Sequence, residues 1–543
     1  MMKKLTILCV VLALLATSAT TALPAASSPS EDAKALDALQ RDAFRYVWET
    51  AAHPACGMVY ESTEALKGTK LAVAVGGTGF GLAAIVVGTD RGWISREQAV
   101  SRIMKIALFL RDKTPRKELH GAFPHWLDGY TGKAIPFGKN DSGADIVETS
   151  LLMQGLLIAR AYYNGPGEEE KLRNIITQLW EEVEWNWFTN GEEIGIYWHW
   201  SPHDKFSHGL RILGYNECLI TYVLAMSSPT HPISRKSYDY WTSGTGYQPK
   251  NVYGYTIEAA LPGAGPLFLA QYSFIGLDPR RMADAFVPGG YFVRNVKHTL
   301  SNREYCIRSA PARNKYSEGL WGLTASMGKK TYDVHEPAKN NGTVAPTAAL
   351  TSMPYTPHYS QQVLHTLWGE MHGTAWGRNG PYDAVNLREN WVVEEYLAIN
   401  QLPIVCMVEN YRTALLWRLF MRDGDIRRGL ERAGIHEPQF EPGFPEVVVA
   451  LKKNGNKYEP DAFDIRRHPD FGQYQVPYWS DTGGRVRFTI AAPDGSVLLT
   501  TEVEAVKGRN TFTFAQFMAP DSSLLRLTML ESGKEYAIPL RLH

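Results

Sequence analysis

Residues 141–163, DSGADIVETSLLMQGLLIARAYY, set three carboxylates ahead of a nearly continuous apolar run. Asp141, Asp145 and Glu148 stand four and three residues apart, a spacing that points their side chains the same way on a helix or on a turn entering one. Carboxylates facing one spot raise at least one proton affinity by mutual repulsion, so a proton donor can sit beside ionised partners at neutral pH. Locally the same residues also read as a helix start: Asp145 with Glu148 three positions on matches a capping-box pattern, and Asp141-Ser142-Gly143 makes a good turn. The run that follows shifts the balance. Leu151, Leu152, Met153, Leu156, Leu157 and Ile158 are apolar nearly all round, which predicts a helix buried inside a large domain. Carboxylates at the mouth of such a helix are costly unless they are paired or chemically employed.

Upstream, the loop GAFPHWLDGYTGKAIPFGKN (121–140) leads into the acids and offers Phe123, His125, Trp126, Asp128 and Tyr130 as binding walls. Taken alone, His125 reads more readily as a structural histidine than as a catalytic one. Ser95-Arg96-Glu97-Gln98 predicts a capping box opening a helix to Arg111. LAVAVGGTGFGLAAIVV (71–87) superficially matches a dinucleotide-binding turn through Gly79, Gly81 and Ala84, but no strand-helix alternation follows it. Residues 33–52 carry Leu36, Leu39, Phe44 and Val47 at helical spacing. Before them, Lys3 and Lys4, an apolar run from Leu5 to Leu15 and small residues to about Ala22 or Ala26 read as a secretory signal.

Downstream, Leu172, Ile175, Ile176, Leu179, Trp180 and Val183 predict an amphipathic helix, so a helix buried all round is paired with one that faces solvent. The pairing repeats at GYNECLITYVLAM (214–226), an apolar helix with Glu217 at its mouth, in the kind of position that Asp145 and Glu148 hold on the earlier one. Between 229 and 339 helical periodicity is weak, and the expectation is long loops with short helices. A helix is expected over 360–370, and PIVCMVENYRTALLWRLFM (403–421) reads as one further apolar helix. Past about Gly434 the period changes to two. RVRFTI (485–490), SVLLTTEVEAV (496–506), NTFTF (510–514) and LLRLTML (524–530), separated by turns, predict a small all-β sandwich in a supporting role.

The 543 residues suffice for two or three domains and a large core. With 56 basic and 56 acidic residues there is no field to attract nucleic acid or anionic lipid. The 15 Trp and 27 Tyr often stand beside Gly, Asn, His and Asp, as platforms for sugar rings do. Cys56, Cys218, Cys306 and Cys406 lack metal-ligand spacing and read as buried thiols, with an occasional disulfide open to them.

The blocks TGFGLAA, RGWISREQA, FPHWLDGYTGK, GADIVETSLLMQGLL, VEWNWF, GYNECLITYVLA, WGLTAS, PTAALTSMPYTP and PIVCMVENYRTALLW, taken in order, resemble the "glucoamylase-like" catalytic domain of glycoside hydrolase family 144, the bacterial endo-β-1,2-glucanases. The likeness runs from about Lys34 to Gly434. It implies a mainly α fold, an (α/α)6 toroid with inner helices opening on a cleft, and inverting hydrolysis of β-1,2-glucan; some relatives release sophorose from a chain end. The family's catalytic candidates fall on Asp141, Asp145, Glu148 and Glu217. The expected layout is a signal peptide at 1–22, a linker at 23–33, the toroid at 34–434 and a β-sandwich-like domain at 435–543.

Inversion sets its two carboxyl groups about 6.5–9.5 Å apart, wider than two acids on one turn allow. The expected pair is therefore Glu217 as acid with Asp145 or Asp141 as base. Trp126, Trp198, Trp200, Trp376 and Tyr382 are expected to stack on glucose, with His125 beside them. No metal or cofactor is called for. A binding protein that has lost catalysis, a polysaccharide lyase on a similar toroid, and a nicotinamide enzyme are the rival functions. The four acids disfavour the first. The carboxylate-rich cluster suits a neutral substrate better than a uronate and disfavours the second, and only the decoy glycines support the third.

Overall fold

Helices that are apolar on every side need neighbours on every side, and the structure supplies them in two layers. The computed structural model describes residues 31–64, 72–138, 141–243 and 247–438, then the stretches 451–454, 457–460, 466–468, 473–480, 482–491, 497–515, 524–530 and 532–539. The signal-peptide reading of residues 1–22 lies outside the described residues. Part of the expected linker is helical, because α1 runs Glu31–Arg45.

Buried helices come first: α2 (Val75–Asp90), α4 (Ile146–Tyr162), α6 (Leu219–Ser227) and α11 (Ala398–Thr413) have interior side chains around nearly their whole circumference. α2 packs between α4 and α11, and α4 also packs on α6. Amphipathic helices cover them: α3 (Arg96–Asp112) lies against α5 (Glu168–Glu181), α5 against α4, and α1 against α11. The capping box at the start of α3 forms as its sequence predicts, between Ser95 and Gln98.

The glycines of α2 serve packing rather than a nucleotide. A Cβ on Gly79 would strike the Leu151 carbonyl of α4, and one on Gly155 would strike the Gly79 carbonyl, so two backbones touch where any side chain would hold them apart. The stretch 403–421 is two helices, not one: α11 ends at Ala414, whose φ of +56° is left-handed, and α12 (Leu415–Met421) starts anew. The Asn410 side chain accepts from Trp417 N–H across this break.

The region 229–339 holds more helix than its periodicity suggests. Besides α7 (Arg235–Thr242), α8 (Tyr291–Glu304) is buried along almost its entire length. Its interior residues include Arg294, Asn295, His298, Thr299, Ser301 and Asn302 beside the short apolar set Val293, Val296 and Leu300, so polar side chains are buried round most of the helix. The helix expected over 360–370 is α10 (Pro357–His365) with a π-turn to Glu370; α9 (Pro346–Thr351) precedes it and α13 (Gly424–Arg432) packs on α6.

Short strands at the helix mouths fix the site. β1 (Ala72–Ala74), β2 (Trp126–Asp128) and β3 (Ala134–Ile135) form an antiparallel sheet with Ala74 opposite Trp126. β4 (Ala144–Asp145) pairs with β5 (His199–Trp200), Asp145 opposite His199. In the carboxy-terminal stretches, Gly484–Ala491 pairs antiparallel with Val497–Ala505 and Leu524–Met529, while Gln473–Ser480 pairs with Gly508–Ala515. The four described cysteines are free and buried. No helix among the described residues is long and apolar enough to cross a membrane.

Candidate active site

The site begins at the mouth of α4. Asp145 is its N-cap: Oδ1 accepts from the backbone N–H of Val147 and Glu148, both at 2.9 Å, meeting two of the orphan donors at a helix start. The peptide before it is pinned as well, because Asp145 N–H donates to the Phe123 carbonyl and Ile146 N–H to that of Trp198. The capping role and the chemical role therefore reside in one side chain, on different oxygens.

The other oxygen faces two imidazoles. His125 Nδ1 lies 3.1 Å from Oδ2 of both Asp141 and Asp145, and His199 Nε2 lies 3.7 Å from the same two oxygens. Glu148 Oε1 stands 3.9 Å from His125 Nε2, while Oε2 accepts from Gly76 N–H in the first turn of α2 at 2.6 Å. The anion held at that glycine-rich helix start is thus the chain's own carboxylate. Asp141 is only 8 % exposed, and its Oδ1 has no hydrogen-bond partner.

Glu217 stands in the turn before α6, within electrostatic reach of Asp145. Ser273 Oγ donates to its carbonyl and accepts from Ile220 N–H, and Asn216 Oδ1 accepts from Cys218 N–H at 3.0 Å, so the turn is fixed at both ends. Burial, with the charge of Asp145 adding to it, pushes the Glu217 carboxyl up to about 7.

The electrostatics separate the acids. Burial alone would raise Asp145, but hydrogen bonds from His125 and His199 and their charges outweigh it and hold the carboxyl far below its usual range. Glu148 is pushed up to about 7 by burial, against the pull of His125 and with the charges of Asp145 and Glu61. Burial opposes protonation of His199, yet Asp141 and Asp145 raise it to about 9; His125 is likewise driven well above its ordinary value, burial being overcome by Glu148, Asp141 and Asp145. Two imidazolium groups thus neutralise two carboxylates. One ligand atom from each of His125, Asp141 and Asp145 lies within 4.8 Å of the others, a donor set that a divalent ion could use. The equal 3.1 Å contacts from His125 Nδ1 show an imidazole N–H already serving both carboxylates.

The aromatic candidates divide. Trp126 stands beside the cluster, its indole N–H donating to Glu61 at 3.2 Å and its ring edge-on to His125. Trp198 lies near-parallel to the His199 ring at 5.9 Å. Trp200 is buried against His120 and Trp187 with the Lys205 ammonium over its face. The partners of Trp376 are Asp42 of α1, Trp368 and His372, and Tyr382 packs on Tyr396; these two meet other parts of the fold rather than the acids.

Three further groups bear on the cluster. His199 is brought opposite Asp145 by strand pairing. Glu61 is raised by burial and touches Trp126. Asp383, pushed up to about 7 by burial, is held by Met327 N–H and Asn400. The alternation in YWHW carried a signal for His199, since successive strand residues face opposite ways.

Comparison with known proteins gives a consistent answer. The family model Glycoamylase, described as "Putative glucoamylase", matches residues 209–424, which include Glu217. An exo β-1,2-glucooligosaccharide sophorohydrolase (non-reducing end) of Parabacteroides distasonis is 39% identical over 432 residues, 75% of this chain and 59% of that protein. This chain therefore spans less than two thirds of the length of that curated relative. The endo-β-1,2-glucanase of Chitinophaga pinensis, solved with sophorotriose and glucose, superposes with a TM-score of 0.72 at 42% identity, covering 76% of this chain and 100% of that one. A β-1,2-glucanase from Parabacteroides distasonis superposes at 0.70 and 39% identity, over 75% of this chain and 60% of that one. With a likeness that takes in the full length of a solved relative, the chain belongs to glycoside hydrolase family 144.

Proposed function

We propose that this chain hydrolyses β-1,2-linked glucan to sophorose and short oligosaccharides, with inversion, on an (α/α)6 toroid over residues 34–434. The observation that carries the reading is the division among the acids: Glu217, raised to about 7 by burial and the charge of Asp145, lies within electrostatic reach of a cluster in which two histidines contact Asp141 and Asp145. Glu217 donates its proton to the leaving oxygen. Asp141 takes a proton from the attacking water, because its Oδ1 has no partner while Asp145 spends one oxygen on the helix cap and the other on imidazole. Glu148 and Asp145 set the local charge. The relatives named as β-1,2-glucanases and a sophorohydrolase supply the substrate class.

The carboxy-terminal residues 435–543 form, on this reading, a two-sheet supporting domain; Phe488 on one sheet stacks at 3.8 Å on Phe512 of the other. Residues 1–22 act as a secretory leader that delivers the chain to the periplasm.

The test is parallel incubation of the purified chain with linear β-1,2-glucan, cellulose and laminarin, with products separated by size and the new anomer read by NMR. Sophorose-series products from the first alone, released as α-anomers, are expected. Products released as β-anomers would remove the inverting mechanism, and no cleavage of β-1,2-glucan would remove the function. Glu217→Gln should lower turnover about 10²–10⁴-fold, as loss of a general acid does.

A further inference from the structure

Two large aromatic side chains beside the acids are exposed, and neither is a tryptophan. Phe137 is 49% exposed and Tyr332 is 42% exposed. An apolar ring left in water next to a polar cluster needs a reason.

Phe137 is held in place on three sides. Its inner face lies on His125, centroids 4.2 Å apart and planes 16° from parallel, and its edge meets Trp126 at 4.9 Å and 71°. Its backbone N–H donates to the Asp141 carbonyl at 3.2 Å, and Asp141 N–H donates to Gly138, so ring and carboxylate share one turn. Its remaining face is open. Tyr332 sits on a hairpin whose strands Ala325–Met327 and Tyr332–Val334 pair Met327 with Tyr332. Met327 N–H in turn donates to Asp383 at 2.6 Å. The Tyr332 hydroxyl is within electrostatic reach of Glu61, Asp383, Glu217 and Glu148.

We propose that Phe137 and Tyr332 are the two stacking walls of a glucosyl-binding subsite over the acid cluster, Phe137 seating a sugar ring beside Asp141. The proposal deepens the glucan-hydrolase reading and rests on it. A pyranose presents an axial C–H face to an aromatic plane and hydroxyls around its rim, and this site offers both complements: open aromatic faces, and the carboxylates of Glu61 and Glu148 as acceptors. A neutral sugar fits better than a uronate, because those carboxylates would repel a charged one. His125 beneath Phe137 keeps the ring from turning, so stacking costs little further ordering.

The experiment measures sophorotriose binding by calorimetry in a Glu217→Gln background, where nothing is turned over. Phe137→Ala and Phe137→Leu should each weaken binding roughly 5–10-fold, and Phe137→Tyr should retain it. Tyr332→Ala should weaken it comparably. In the unsubstituted background, Phe137→Leu should raise KM by a similar factor with a smaller change in kcat. Phe137→Leu keeps an apolar group on His125, so its melting temperature stays near that of the parent and separates binding from folding. Equal sophorotriose affinity in Phe137→Leu and the parent overturns the proposal. So does a shifted pH profile with unchanged KM, which would make Phe137 only a cover for His125. If the Glu217→Gln parent binds no sophorotriose and the unsubstituted chain cleaves no β-1,2-glucan, the functional reading fails and takes this one with it.

Discussion

At the scale of single residues, Asp145 shows how structure and chemistry share one side chain. Asn caps a helix as well as Asp does, so Asp145→Asn should lose activity and the ion pairs to His125 and His199 but keep the cap, while Asp145→Ala should lose about 0.5–2 kcal/mol more stability with the cap. Equal melting temperatures for the two variants would show that the cap contributes nothing. Glu217 makes a separate expectation. A general acid must be protonated, so kcat should fall as pH rises through about 7, the value to which burial and Asp145 lift this carboxyl. Asp145→Asn removes one cause of that lift and should move the falling limb to lower pH. A kcat that stays level well into alkaline pH would exclude Glu217 as the donor. The grouping of Asp141, Asp145 and Glu148 was legible in the sequence because they stand four and three residues apart at a helix start, and Glu217 because it repeats their place at a helix mouth. His199, Glu61 and Asp383 were not, because each arrives by pairing with or packing on a chain segment far away in sequence. The aromatic platforms were hard to single out for another reason: a tryptophan in a polar loop is large enough to be drawn inward, as Trp200 and Trp376 are, and nothing local marks which rings stay open.

At the scale of elements, the decisive contact is between α2 and α4. Gly79→Ala or Gly155→Ala would force the two backbones apart and should cost about 1–3 kcal/mol or more, read as a fall in the urea midpoint. Unchanged midpoints would mean that the helices tolerate separation. Ala414 makes the opposite case. It holds a left-handed φ of +56° between α11 and α12, and Ala414→Gly should relieve that strain and stabilise the chain by up to ~1 kcal/mol. Apolar helices could be read from the sequence because their burial is written in their composition. The Ala414 break could not, since alanine is the residue most at home inside a helix. Nor could α8, whose interior is lined by Arg294, Asn295 and His298 and thus imitates a surface helix.

At the scale of the whole molecule, the site weakens the fold on its alkaline side. Glu148 and Glu217 bind a proton more tightly folded, at about 7, than at their ordinary 4.5, so their contribution is complete below about 4.5 and is lost as pH rises through 7. His199, raised to about 9, contributes below 6.5 and loses that contribution as pH climbs through 9. Asp145 runs the other way, and its contribution is lost only in strong acid. The melting temperature should therefore decline from pH 6 toward pH 9. Glu148→Gln, neutral throughout, should flatten the decline and melt a few degrees above the parent at the alkaline end. A parent chain equally stable at both pH values would show that these carboxyls are not strained in the folded state.

The amide of Gly76 connects these scales. It donates at 2.6 Å to Glu148, 72 residues away, so one carboxylate of the acid cluster is also the latch on the first turn of a central helix. Anything that changes the charge or the hydrogen bonding of Glu148, a proton in the first case or an arriving glucose in the second, alters how firmly that latch is shut. Deuterium uptake at this one position then becomes a native gauge of occupancy, readable without labelling the ligand or following turnover.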